Sequence, residues 1–195
     1  MKSPNQLIAL LFIGAALLVT NSCQEDTVLQ EQPEVDDDMA TAIQLIDIEF
    51  PDLLGSDNDR RTKWKDSKRC ITVLKYQKGK KGNPGQLMFD TNRDNYEGFQ
   101  PIDELTVTAV AEPGEYVFWY RGGGLKYLKG IEFEPASEAM LDDLPSDFRE
   151  DRIWYVQMPE LIPDGTELKY DILYQLKKSN EIIRLDPKLR AINNN

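Results

Sequence analysis

Residues 167–177 read ELKYDILYQLK, with Leu168, Tyr170, Ile172, Tyr174 and Leu176 on every second position. Lys169, Asp171, Gln175 and Lys177 take the other face. Successive side chains of a strand point to opposite faces, so a period of two gives one apolar and one polar face. A helix would scatter the same residues around its axis. Runs of the same kind recur at 70–76, 85–90, 104–111, 115–121, 128–133, 152–158 and 181–186. The intervening stretches KGNPG, EPGE, RGGG, IPDGT and KKSN carry the glycine, proline and asparagine of tight turns. A chain built this way has one main option, which is to pair its strands and stack the resulting sheets.

About eight short strands at this spacing predict an all-β fold, an antiparallel β-sandwich of immunoglobulin-like or Greek-key arrangement. Residues 39–195 are the predicted domain, and 39–55 are a possible helix or first strand. Met39, Ala42, Ile43, Ile46 and Phe50 recur at helical spacing, and Pro51 would end such a helix. Ile46, Ile48 and Phe50 also alternate as in a strand, but the helical pattern accounts for more of the apolar residues. A domain of about 150 residues buries some 68–70% of its unfolded surface, so it needs no disulfide staples. Cys70, within the apolar run RCITVLKY, reads as core packing.

The chain has no histidine, which removes Ser-His-Asp and Cys-His nucleophile chemistry and the commonest zinc, copper and haem ligand. Neither G-x-S-x-G nor S-x-x-K occurs. With 34 acidic and 23 basic residues the net charge is −11, which argues against nucleic acid as a partner. The expectation is a protein with no catalytic residues, no metal and no cofactor. A carboxylate glycosidase stands as a distant third possibility, because such a pair is defined in space and not in sequence.

The N-terminus sets the expected compartment. One lysine precedes thirteen uncharged, mostly apolar residues, Leu7–Val19, a length that suits the apolar core of a signal peptide and falls short of a spanning helix. Small residues, Thr20-Asn21-Ser22, then lead into Cys23 and the acidic Gln24-Glu25-Asp26. This stretch resembles a bacterial lipobox, and is similar to the relaxed boxes of Bacteroidota-type lipoproteins with their acidic surface-export signal. The resemblance implies removal of residues 1–22, lipidation of Cys23, and a place in the outer membrane, facing the cell surface. Residues 24–38 hold seven acidic residues and no basic one, and they are expected to form a flexible tether from 23 to 38. The C-terminal hairpin, ELKYDILYQLKKSNEIIRLDPKL, loosely resembles the closing strands of small Ig-like modules of uncharacterised surface lipoproteins.

Three segments are candidate sites. Residues 60–81 carry ten Lys/Arg and one acid, Asp66, so they sum to +9 in a chain that otherwise sums to −20. Such a block is either a solvated face or a surface for a polyanion, with Lys80 and Lys81 at its end and Trp64 as a stacking ring. Residues 116–130, YVFWYRGGGLKYLKG, put Val117, Trp119 and Arg121 on one strand face and Tyr116, Phe118 and Tyr120 on the other. A sandwich strand buries one face. The Arg121 side is therefore expected to point outward, offering Trp119, Arg121 and Tyr127 to a sugar; the plain alternative is core aromatics entering a tight bend. Residues 90–98, DTNRDNYEG, have oxygen ligands in a spacing that fails the calcium-binding EF-hand and read as a polar loop. Together these features suggest a lipid-anchored, non-catalytic binding module for a glycan or nutrient. The alternative is a structural or protein-interaction lipoprotein that contacts an envelope protein.

Overall fold

The computed structural model describes residues 38–51, 69–81, 84–93, 98–103 and 105–192. Eleven strands occur among them. They are β1 (Arg69–Gln77), β2 (Gln86–Thr91), β3 (Gln100–Pro101), β4 (Val107–Ala111), β5 (Tyr116–Arg121), β6 (Leu125–Phe133), β7 (Ser146–Phe148), β8 (Ile153–Gln157), β9 (Glu167–Leu176), β10 (Ile182–Leu185) and β11 (Lys188–Ala191). A helix, α1 (Asp38–Glu49), precedes them and a single helical turn, α2 (Pro135–Glu138), follows β6. All eight strands expected from the sequence are present. The first sheet runs β3-β2-β1-β5-β8-β7. In the second, β9 pairs with β6 along one edge and with β10 and β11 along the other, and β11 pairs with β4.

Both sheets are mixed, where an antiparallel sandwich was expected. β1 runs parallel to β5, with Cys70 opposite Val117 and Thr72 opposite Trp119, and β11 runs parallel to β4. The cause lies in the connections. After β3 the chain crosses to the second sheet for β4 and returns as β5, so β1 and β5 become neighbours without a hairpin between them.

The two sheets close on a shared apolar core. The first contributes Cys70, Leu74, Leu87, Phe89, Val117, Trp119 and Val156; the second contributes Leu125, Leu128, Ile131, Phe133, Leu168, Tyr170, Ile172, Tyr174 and Leu189. The alternation of residues 167–177 is therefore expressed as read through Tyr174, with Leu168, Tyr170, Ile172 and Tyr174 inward, while beyond it Gln175 is buried too and Leu176 only partly so. Within this core the indole Nε1 of Trp119 donates to the Tyr170 hydroxyl at 2.9 Å, and that hydroxyl also bonds to Thr108 Oγ1. Burial pushes the Tyr170 phenol well above its ordinary pKa.

The first sheet is also covered on its other side. Ala42, Ile43 and Ile46 of α1 pack on Ile71 and Val73 of β1, Phe118 and Tyr120 of β5, and Ile153 of β8. Phe50 closes the end of this layer, its ring 5.2 Å from those of Phe118 and Tyr155 and 5.5 Å from that of Phe148. The helical spacing at 39–50 is thus the correct pattern: Ile46 is fully buried while Ile48 is 62% exposed. Two ion pairs flank the contact, Arg69 with Asp47 and Arg149 with Glu49. At the other end, Asp38 Oδ2 accepts the amide of Gly123 at 2.9 Å. This contact explains the glycine run after Arg121. A Cβ on Gly122 would sit 2.7 Å from Asp38 Oδ2, and Gly124 has φ +82° with the Tyr76 carbonyl 2.5 Å from where its Cβ would lie.

Cys70 is fully buried, with its Sγ 3.7 Å from Thr91 Oγ1. Burial, chiefly, pushes its thiol up to about 11, which leaves roughly one thiolate in a thousand at pH 8. A Cys23→Ala chain should therefore show no reactive thiol towards Ellman's reagent when folded, and one on denaturation. Prompt reaction of the folded chain would place Cys70 at the surface.

Candidate functional site

The expected ligand face around Trp119 requires correction. Trp119 is fully buried between the sheets, so its ring is unavailable for stacking on a sugar. The outward-face expectation assumed two layers. Because α1 forms a third, both faces of β5 are covered and the strand is aromatic on both sides. Tyr127 lies half-buried on β6, with Lys129 Nζ 4.2 Å and Lys126 Nζ 5.1 Å from its ring centroid. Lys80 and Lys81 are exposed in the connection after β1. Trp64 and Cys23 lie outside the described residues, as do Asp94 and Glu97 of the polar loop. Within the basic block Arg69 is buried and paired to α1, and Lys75 Nζ lies 5.0 Å from the Phe99 ring centroid. The described part of the block is therefore not one continuous solvated surface.

Arg121 leads to a different arrangement. It ends β5, and its backbone amide donates to the Arg152 carbonyl just before β8, at 2.8 Å. The two side chains, with Arg149 and Glu150, line a basin of about 460 Å³. The basin is broadly open to solvent and its lining is charged throughout, whereas most ligand pockets are enclosed and largely apolar. A hydrophilic, charged ligand suits it.

The loop that carries three of these residues is held in an uncommon shape. Arg149, Glu150 and Asp151 have φ of 64°, 50° and 60°, three left-handed residues in succession with no glycine among them. Each such residue costs roughly 1–2 kcal/mol, so the surrounding contacts must impose the shape. They do so from both sides. Asp147 accepts the amide of Asp151 at 3.1 Å, the Asp151 carbonyl accepts Leu128 N at 2.9 Å, and the Asp151 carboxylate pairs with Lys129.

The charges in the basin are unequally matched. Arg149 is paired with Glu49, and its Cζ lies 5.6 Å from the Phe148 ring centroid. Arg152 donates to the Tyr120 hydroxyl at 2.6 Å and stacks on that ring, and Arg121 donates to the Lys126 carbonyl. Among the described residues neither Arg121 nor Arg152 has a carboxylate partner, in a chain where acids outnumber bases 34 to 23. Their Nε atoms are buried without an acceptor. Two guanidiniums that line one basin with no carboxylate in ion-pair contact repel each other, and a bound anion would relieve that repulsion. A planar guanidinium also presents paired donors matched to an oxyanion.

Sequence reasoning found Arg121 but missed Arg149, Glu150 and Arg152. The run REDR at 149–152 has mixed charge and reads as an ordinary solvated loop; only the fold brings it to Arg121. Compared with known protein families and with characterised proteins, the chain matches none. No helix among the described residues is long and apolar enough to cross a membrane.

Proposed function

We propose that this protein is a non-catalytic binding module for an anionic ligand, displayed at the outer-membrane surface through a lipid on Cys23. The observation that carries the binding role is the pair Arg121 and Arg152, uncompensated in an acidic protein and opening on a basin. The absence of histidine from the sequence, together with a basin lined by three arginines and one glutamate, favours binding over chemistry. The lipobox-like stretch ending at Cys23 supports the anchor, and the acidic residues before Asp38, which itself begins α1, would supply a spacer of up to about 50 Å if fully stretched. In this reading the sandwich is a variant of the Ig-like modules that its last strands resemble.

The binding role is tested with sulfate as the probe. The full chain, kept in a nonionic detergent, is melted with increasing sulfate at constant ionic strength, beside an Arg121→Lys/Arg152→Lys chain. A ligand that binds only the folded state raises Tm with its concentration, and sulfate also stabilises proteins generally by exclusion from their surface. The native chain should therefore gain more than the variant, which keeps the charges but loses both forks. Equal gains would remove the proposal. For the anchor, labelling of cells with a fatty acid should mark the native chain and leave Cys23→Ala unmarked.

A further inference from the structure

The basin contains an acceptor as well as donors. Glu150 lines it beside the three arginines, is exposed, and forms no ion pair or hydrogen bond among the described residues. A bare inorganic anion would satisfy Arg121 and Arg152 but would meet only repulsion from Glu150. An ionised carboxylate accepts hydrogen bonds and donates none, so Glu150 asks for a donor on the ligand. The donor is either an ammonium or a hydroxyl, and the charge count decides between them. Three arginines and one glutamate give the lining a net +2, and Glu49, paired with Arg149, lowers it to +1. A zwitterion would leave that excess standing and bring a further cation into it. A ligand with one or more negative charges and neutral hydroxyl donors reduces the excess and satisfies both kinds of group.

From this we infer that the ligand is an acidic sugar. Its carboxylate lies between the guanidiniums of Arg121 and Arg152, and a ring hydroxyl donates to the Glu150 carboxylate. The inference rests on the anion-binding role proposed above and names the chemistry of its ligand. It also gives the left-handed loop a purpose. The loop presents Arg149 and Glu150 to the same basin, with Asp147, Leu128 and Lys129 fixing the backbone behind them.

Four small probes separate the possibilities, each titrated into the isotopically labelled full chain in detergent and followed by the amide shifts of residues 121 and 149–152. They are sodium glucuronate, sodium acetate, glucose and glycine. Glucuronate should bind about tenfold more tightly than acetate, the size of effect expected for one hydrogen bond to a charged group. Glucose and glycine should leave the shifts unmoved. Glu150→Ala, which breaks no contact seen in the structure, should bind acetate at least as well as the native chain and lose the preference for glucuronate. Arg152→Lys should weaken both acids.

If acetate and glucuronate bind equally, or if their ratio survives Glu150→Ala, the acidic-sugar inference is wrong while the anion site stands. Glycine as the strongest binder would overturn it in favour of an amino-acid ligand. If neither acid moves these amides, both the inference and the anion-binding role fall together.

Discussion

Replacing Trp119 by alanine is expected to destabilise the domain by about 3–5 kcal/mol, the range for deleting a large aromatic from a packed core. The ring has no exposed surface and packs against Tyr170 and Phe133, with centroids 5.2 and 6.4 Å away. Alanine leaves a cavity between the two sheets that neither can readily close, because β1 and β8 flank β5 in the same sheet. It also removes the donor to the Tyr170 hydroxyl, which keeps only its bond to Thr108. Trp119→Phe should cost less, since most of the volume is kept and only the indole bond is lost. Urea unfolding measures this directly, as a fall in midpoint at unchanged slope. A sugar-stacking surface residue would give the reverse result, with unchanged stability and lost binding. An unshifted midpoint in Trp119→Ala would mean that the ring does not lie between the sheets.

Strand 167–177 was legible because one period ran through eleven residues, long enough to exclude a helix. β3, β7 and β11 were not, since two to four residues hold at most two periods. β11 is in addition separated from β10 by Asp186 and Pro187, so the two read as one strand and a tail. The parallel pairings were hidden for another reason. Periodicity reports which face a residue occupies, but not which strand lies beside it. The error at Trp119 came from the same limit. Helical spacing at 39–50 was visible, but the surface that α1 would cover was not, and without it β5 seemed to need a solvent face. The basin lay still further from view. Arg121 and Arg152 come from opposite ends of neighbouring antiparallel strands, and register alone brings them together.

Ile46→Asp is expected to release α1 from the first sheet, lowering stability by about 4 kcal/mol or more, as burial of an unpaired charge does. Ile46 is fully buried against an apolar layer of Ile71, Val73, Phe118, Tyr120 and Ile153, with no cation among them. A carboxylate there either stays buried and unpaired or reaches water by lifting the helix. The two ion pairs that flank α1 do not hold it down: Arg149–Glu49 is partly exposed and worth about 0–1 kcal/mol, and in Arg69–Asp47 the cost of desolvating the buried guanidinium offsets the attraction. Once lifted, the helix uncovers Phe118 and Tyr120, so the variant should bind a hydrophobic dye such as ANS while keeping most of its strand signal. Ile48→Asp supplies the control. It makes the same chemical change on the same helix at a position 62% exposed, and should alter stability by no more than about 0.5 kcal/mol. The comparison also distinguishes the two patterns that the sequence offers at 39–50. In a strand Ile46 and Ile48 would share a face and respond alike; on a helix they lie about 200° apart, and only one of them matters.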